Sequence, residues 1–262
     1  MLLFFDVDGT LIDDFHQLVP SVKPAMESAK KNGHLLIINT GRTLCNLDSR
    51  LDGLPIDGWI MGCGTRIIYH GETLQSMEYD PEKSLRLRDV FRELNIATVY
   101  ECDTGMYFDP AYSSHPMVEK FHRYAEQHGI AREIDPDDPE FRAVKMFCFA
   151  EGKSLISGIE KKTAEIGLPY VSIDRSPIGW EIVPAGYTKG TGIHAVREKL
   201  GFDISDCFAF GDSRNDMTML QSVAHSVAMG NAPDDVKAVC SYVTDRPEND
   251  GIRKAFEHFG LI

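Results

Sequence analysis

A short apolar run at the N-terminus leads directly into two carboxylates. Residues 2–5 read Leu-Leu-Phe-Phe, which is typical of a strand buried on both faces of a parallel sheet. Asp6 and Asp8 follow, and Gly9 and Thr10 end the stretch. Charges at the end of a buried strand cost free energy unless something compensates them, and Mg²⁺ prefers carboxylate and carbonyl oxygens. We therefore expect a Mg²⁺ site here, although an Asp-Gly turn selected for its backbone shape gives the same pattern.

Two later apolar runs also end in polar residues. They cover 34–39 and 207–210, and the polar residues after them are Thr40, Gly41 and Arg42 in one case and Asp212, Asn215 and Asp216 in the other. Lys189 adds a positive charge at the start of a predicted helix over 190–200. Because parallel strands present their carboxyl ends at one edge of a sheet, we expect these groups to converge there.

The order of predicted elements defines a fold class. Strands at 2–5, 34–39 and 59–61 alternate with helical segments, the second of them a short helix from 42 to about 51, which is typical of a doubly wound α/β sheet. Between 80 and 183 strands and helices follow no regular order, which favours an α+β insert. We therefore predict a Rossmann-like parallel-sheet core formed by 1–79 and 184–262, with an inserted α+β domain at 80–183.

Composition restricts the possible partners. The chain has 262 residues, 43% of them hydrophobic, and a formal charge of −13. Such an acidic protein lacks the basic face that a nucleic-acid partner requires. It also repels anions at long range, so a phosphate site in it must be locally positive.

The remaining global features predict a cytoplasmic protein. The six cysteines have no metal-ligand spacing and lie mostly in apolar runs, as is typical of a reducing compartment. Asp6 and Asp8 interrupt the N-terminal apolar run, so we expect no signal peptide. No stretch approaches the length of a membrane span, and we expect a monomer or a weak homodimer.

Taken together, four polar clusters resemble the four motifs of the haloacid dehalogenase superfamily. They occur in the family's order, as Asp6 with Asp8, Thr40, Lys189, and Asp212 with Asp216. The resemblance covers the whole predicted core, and the position of the insert resembles the type IIB cap of Cof-like phosphatases. This resemblance implies a cap domain that closes as a lid over the site.

The resemblance also implies a role for each motif residue. Asp6 would be the nucleophile, Asp8 the general acid and base, and Lys189 a catalytic cation. The implied phosphate ligands are Thr40, Gly41, Arg42, Lys189 and Asn215. The implied metal ligands are Asp6, Asp8 through its backbone carbonyl, Asp212, and Asp216, which could instead support Lys189.

The activity implied is that of a Mg²⁺-dependent phosphomonoester hydrolase. Its substrate would be a small phosphorylated metabolite, either a sugar phosphate or a phosphorylated cofactor, and its intermediate an aspartyl phosphate. Phosphotransfer of the phosphohexomutase type and non-catalytic phosphate binding are the alternatives. A P-loop NTPase is excluded, because the Gly-Tyr-Thr-Lys-Gly-Thr run around Lys189 lacks the required glycine spacing.

The insert supplies only weak candidates for contacts with the leaving group. These candidates are His115, Arg142, Lys145 and Arg175, but the pattern favours an ordinary surface or strand residue in each case. Glu181, near the predicted end of the insert, could contact substrate or serve in a hinge.

Overall fold

The computed structural model describes residues 1–47, 49–150, 152–175 and 178–262. Its strands are β1 Leu2–Phe5, β2 Leu35–Asn39, β3 Gly58–Met61, β4 Arg66–Tyr69, β5 Glu72–Ser76, β6 Thr98–Glu101, β7 Met106–Phe108, β8 Ala131–Glu133, β9 Lys145–Cys148, β10 Tyr170–Asp174, β11 Trp180–Pro184, β12 Cys207–Gly211, β13 His225–Ala228 and β14 Tyr242–Val243. Its α-helices are α1 Val22–Lys31, α2 Pro81–Glu93, α3 Pro116–Gln127, α4 Lys153–Glu165, α5 Lys189–Leu200, α6 Met217–Leu220, α7 Asp234–Lys237 and α8 Gly251–Phe259.

The chain forms two compact units. The first comprises Met1–Gly41, Asp48–Ser76 and Thr188–Ile262, and the second Arg42–Leu47 and Met77–Tyr187. The sequence-predicted insert, 80–183, falls within the second unit. The short segment Arg42–Leu47, which the prediction had left in the core, also packs with the second unit.

The first unit is built on an eight-stranded sheet. Its strand order is β14-β13-β12-β1-β2-β3-β4-β5, parallel from β14 to β3, with β4 and β5 antiparallel. The first strand lies in the middle, where Phe5 is opposite Phe210 of β12 and Ile38 of β2. This arrangement confirms the predicted doubly wound fold and brings the carboxyl ends of β1, β2 and β12 to one edge.

Both faces of β1 are buried, which explains its unbroken apolar run. Alternate residues of a strand point to opposite faces. Leu3 and Phe5 belong to one core cluster together with residues of α1 and α8, and Phe5 stacks on Phe210 at 4.9 Å between ring centroids. Leu2 and Phe4 belong to a second cluster together with residues of α5 and α6.

The second unit is built on a six-stranded sheet, as an α+β domain requires. Its order is β10-β11-β9-β6-β7-β8, antiparallel except for the parallel pair β7 and β8. Residues of α2 and α4 share a core cluster with one face of this sheet. Residues of α3 share another cluster with the opposite face.

Two local predictions differ from the structure. The helix expected from residue 42 to about 51 is instead a pair of 3₁₀ turns, Leu44–Asn46 and Ser49–Leu51. Strand β8 was not predicted, because its sequence Ala-Arg-Glu is polar and partly or fully exposed at the edge of the sheet. Across the described residues, every helix is too short or too polar to cross a lipid bilayer.

Candidate active site

The loop after β1 is tied to the end of β12. The backbone N–H of Asp6 donates to the carbonyl of Phe210 at 2.9 Å, which extends the parallel pairing by one residue. Gly9 has a φ of +84°, and a Cβ on it would lie 2.3 Å from Oδ2 of Asp212. Only glycine fits this left-handed position against a carboxylate. The tight turn therefore brings the two acidic motifs, which are far apart in sequence, into contact.

Lys189 is fixed at the first position of α5. Thr188 caps this helix by accepting a hydrogen bond from the N–H of Thr191 at 3.0 Å. Asn39, the last residue of β2, donates from Nδ2 to the carbonyl of Lys189 at 2.9 Å. Helix capping and the contact with β2 thus set the position of the lysine backbone.

The ammonium of Lys189 lies between two carboxylates. Its Nζ donates to Oδ1 of Asp6 and, at 2.5 Å, to Oδ1 of Asp216. Lys189 is 1% exposed, Asp6 5% and Asp216 fully buried. This ion-pair network joins residues from three separate parts of the chain in one water-poor site.

Burial perturbs the charges of this network. The pKa of Asp6 is raised to about 7, mainly by burial and then by the Asp216 charge, while Lys189 opposes both effects. Burial alone would lower the pKa of Lys189, but the Asp216 and Asp6 carboxylates outweigh it and raise that pKa. The lysine therefore stays protonated, and one ammonium faces two carboxylates. The raised pKa of Asp6 shows that a second ionised carboxylate is disfavoured here, so a bound cation would stabilise it.

Three carboxylates are arranged as a candidate metal site. Oxygens of Asp6, Asp212 and Asp216 lie within 4.8 Å of one another. A hard divalent cation such as Mg²⁺ fits such a set of oxygen donors. Both oxygens of Asp216 already accept hydrogen bonds, Oδ1 from Lys189 and Oδ2 from the N–H groups of Asp212 and Ser213 at 3.0 and 2.9 Å. Its predicted role as a metal ligand stays a prediction.

The two aspartates of the first motif occupy different environments. Asp6 is buried, whereas Asp8 is exposed. They are close enough that the Asp8 charge raises the pKa of Asp6. Neighbouring carboxyl groups in unlike environments can divide the roles of nucleophile and proton carrier.

The predicted phosphate ligands lie in different parts of the fold. Thr40 is buried just beyond β2, at the sheet edge that also carries Asp6, and its N–H donates to Ile60 at 2.8 Å. Gly41 follows it. Asn215 is buried and accepts a hydrogen bond from the Ser213 hydroxyl at 2.6 Å. Arg42 belongs to the second unit, where Nη1 donates to the carbonyl of Asn46 at 3.3 Å.

Two residues near Asp212 were missed in the sequence. The side-chain amide of Asn231 donates to Oδ2 of Asp212 at 3.2 Å, and the Thr10 hydroxyl donates to Oδ1 at 3.4 Å. Asn231 follows β13, the parallel neighbour of β12. The available signal was a Met-Gly-Asn sequence after another buried strand, at the edge where the other polar clusters end.

The candidate residues of the insert have structural partners within the second unit. Lys145 is buried between Glu101, at 3.2 Å, and Glu181, at 3.4 Å. The remaining candidates also have contacts. Arg142 pairs with Glu78 at 3.5 Å, and the ring of His115 stacks on Phe149. The backbone N–H of Arg175 donates to the carbonyl of Gly179.

Comparisons with known proteins indicate the family to which this chain belongs. The sequence model of the haloacid dehalogenase-like hydrolases matches residues 3–256. YkrA of Bacillus subtilis is 28% identical over 100% of this chain and 98% of its own. The HMP-PP phosphatase of Klebsiella pneumoniae is 27% identical over 90% of this chain and 86% of its own.

A solved structure is similar to this chain over its whole length. The haloacid dehalogenase subclass IIB sugar phosphatase BT4131 is 26% identical, with a TM-score of 0.83 that covers 100% of this chain and 99% of that one. The family match spans far more than half of the chain, and the structural match includes the insert as well as the core. The chain therefore belongs to the haloacid dehalogenase-like hydrolases, among the Cof-like phosphatases with a subclass IIB cap.

Proposed function

We propose that this phosphatase hydrolyses phosphomonoesters of small metabolites through an aspartyl phosphate at Asp6, with Mg²⁺ as its cofactor. The observation that carries the proposal is the buried contact of Lys189 with Asp6 and Asp216, beside the carboxylate of Asp212. The relatives named for HMP-PP and for sugar phosphates support a small phosphorylated substrate, either a phosphorylated cofactor or a sugar phosphate.

In the first half-reaction, a carboxylate oxygen of Asp6 attacks phosphorus. A bond forms between this oxygen and phosphorus while the bond from phosphorus to the leaving oxygen breaks. Asp8 gives its proton to the leaving oxygen, which departs as an alcohol. Its exposed position next to Asp6 suits a group that exchanges protons with substrate and water.

In the second half-reaction, water attacks the phosphorus of the aspartyl phosphate. Asp8, now ionised, takes a proton from this water, and the bond between phosphorus and Asp6 breaks. Inorganic phosphate leaves, and Asp6 returns as a carboxylate. Asp8 ends the cycle protonated, as it began.

The phosphoryl oxygens carry negative charge that would repel Asp6, so the site must neutralise them. We assign this task to the Lys189 ammonium, the Thr40 hydroxyl, the Asn215 amide and the N–H of Gly41. Asp216 keeps Lys189 in place, since it accepts hydrogen bonds from the lysine and from the 212–213 backbone.

Asp6, Asp212 and the backbone carbonyl of Asp8 would hold the Mg²⁺ ion. When bound, the ion supplies positive charge that offsets the phosphoryl oxygens and the carboxylates. The side chain of Asp8 then remains available for proton transfer. A module that only bound phosphate would have no need for this second carboxylate.

The proposal is tested with an aryl phosphate as a generic substrate. In the presence of Mg²⁺ we expect steady release of phosphate by the wild type, and none by Asp6→Asn. Asp57→Asn is the matched control, because Asp57 is also a buried aspartate paired with a lysine, Lys30 at 2.6 Å, but it lies outside the site. Hydrolysis that survives in Asp6→Asn would exclude the aspartyl route.

The substrate class requires a separate measurement. A panel of phosphorylated sugars, nucleotides and cofactors is compared by kcat/KM for phosphate release. A preference for sugar phosphates or phosphorylated cofactors is expected. Production of an isomerised sugar phosphate upon addition of a bisphosphate activator, in place of free phosphate, would instead favour phosphotransfer.

A further inference from the structure

The side-chain amide of Asn231 connects the two acidic loops of the site. Its Nδ2 donates to the carbonyl of Gly9 at 3.0 Å and to Oδ2 of Asp212 at 3.2 Å. One amide group thus touches both the turn after β1 and the predicted metal ligand after β12.

The backbone around Asn231 is held against the same edge of the sheet. The N–H of Met229 donates to the carbonyl of Gly211 at 2.9 Å, and the N–H of Gly230 donates to the backbone carbonyl of Asp245 at 3.1 Å. The N–H of Ala232 donates to the carbonyl of Met229 at 3.0 Å and closes the turn. Asn231 is therefore carried by a fixed loop.

Its two partners determine the orientation of the Asn231 amide. A backbone carbonyl and an ionised carboxylate can only accept hydrogen bonds. The NH₂ group must therefore face Gly9 and Asp212, because a flipped amide would place oxygen against two acceptor oxygens. It follows that Oδ1 points away from these two partners.

The oxygen of this amide is buried and lacks a donor. Among the described residues, no group donates a hydrogen bond to Oδ1 of Asn231, and solvent does not reach this atom. A buried acceptor without a partner destabilises the protein. Oδ1 and Nδ2 are bonded to the same carbon atom, and Nδ2 contacts the Asp212 carboxylate. A donor is therefore expected beside the candidate metal site.

We propose that Asn231 is a positioning residue for the divalent cation, and this inference rests on the proposed function. Through Nδ2 it fixes the orientation of the Asp212 carboxylate. Through Oδ1 it accepts a hydrogen bond from a water molecule in the hydration shell of the ion. Mg²⁺ keeps several waters when it binds to proteins, and these waters are strong donors.

A purely structural role explains less of the geometry. A side chain that only braced the two loops would need its NH₂ group and not a buried oxygen without a donor. Contacts that orient metal ligands in other proteins typically change metal affinity by about 10- to 100-fold when they are removed. Asn231 fits that class of residue.

The test measures cation binding without substrate. Mn²⁺ and Mg²⁺ affinities of the metal-stripped full chain are obtained by calorimetric titration, together with the Tm of the metal-free protein. We expect Asn231→Ala to weaken binding at least about tenfold. Asn32→Ala is the matched control, because Asn32, which directly follows α1, also donates from Nδ2 to a backbone carbonyl, that of Leu261 at 3.0 Å. This control should bind both ions like the wild type.

The outcomes separate this inference from the proposed function. If the wild type binds the ion and Asn231→Ala binds it equally well, the role of Asn231 is wrong while the proposed function stands. If the wild type binds no divalent cation, the proposed metal site itself fails.

A second measurement needs no variant. In a crystal structure of the Mg²⁺-loaded wild type, a water ligated to the ion should lie within hydrogen-bond distance of Oδ1 of Asn231. An Oδ1 that contacts only protein atoms or waters not bound to the ion would overturn the inference.

Discussion

Lys189 separates two carboxylates that would otherwise repel each other. Asp6 and Asp216 both contact its ammonium in a site from which water is nearly excluded. Breaking a buried ion pair by removing one partner is costly, because an uncompensated charge stays behind. The stability of the fold and the chemistry of the site thus depend on the same side chain.

Replacement of Lys189 by methionine should show both effects. We expect phosphatase activity to disappear and the free energy of unfolding to fall by about 3–5 kcal/mol in urea denaturation at pH 7. Lys254→Met is the control, since Lys254 also pairs with an aspartate, Asp245, but the two side chains are 44% and 53% exposed. That pair should contribute about 1 kcal/mol or less. A Lys189→Met protein as stable as the wild type would contradict the buried network.

The raised pKa of Asp6 predicts a pH dependence of the metal-free protein. Asp6 titrates near 3.8 in an unfolded chain and at about 7 in the folded one. Between these values the folded state holds a proton that the unfolded state has released, so stability should fall as pH rises from about 4 to about 7. Urea unfolding in EDTA should show this slope in the wild type and a flatter one in Asp6→Asn. Equal slopes in both proteins would refute the assignment.

At the scale of single elements, the start of α5 controls the position of Lys189. Thr188 and Thr191 form a capping box at this end of the helix. Gly190 packs so closely on α6 that a Cβ would lie 2.5 Å from the carbonyl of Thr218. The helix therefore has little freedom to shift relative to the sheet.

Thr188→Ala should weaken both the helix and the site. Loss of the cap costs about 1 kcal/mol of stability, and we expect a lower kcat because Lys189 is the next residue. Asp203→Ala removes another cap, its bond to the N–H of Ser205 at 3.0 Å, at a turn outside the site. This control should leave kcat unchanged. An unaltered kcat in Thr188→Ala would show that the cap does not position the lysine.

In the second unit, β9 carries a buried lysine between two glutamates. The pKa of Glu101 is raised, because the effect of burial exceeds the opposing effect of the Lys145 ammonium. Lys145→Met should leave Glu101 and Glu181 facing each other and lower the free energy of unfolding by about 3–5 kcal/mol. Lys161→Met, which removes an exposed pair with Glu165, should change it little. Similar losses in the two variants would contradict the burial of this triad.

The sequence allowed the sheet and the main acidic groups to be predicted. Buried strands have continuous apolar runs, and their ends are marked by polar residues such as Asp6, Thr40 and Asp212. The Asn231 contact was not predicted, because a single asparagine after a strand has no characteristic spacing. The packing of Arg42–Leu47 with the second unit was not predicted either, because the segment adjoins a core strand in sequence and tertiary contacts decide its place.

At the scale of the whole molecule, the negative net charge is opposite to the positive local charge that a phosphate site needs. A protein with a formal charge of −13 repels phosphate esters at a distance. Lys189 supplies one buried positive charge, but Asp6 and Asp216 outnumber it. We therefore expect substrate binding to depend on a divalent cation that reverses the local sign.

The central claim is that Asp6 receives the phosphoryl group. The most direct measurement is acid quenching of the enzyme during turnover with saturating substrate and Mg²⁺, followed by borohydride reduction and peptide mass spectrometry. Reduction of an aspartyl phosphate yields homoserine, so homoserine should appear at position 6, only in samples that received substrate and not in Asp6→Asn. Continued hydrolysis with an unmodified Asp6, or with the modification at another residue, would contradict the account.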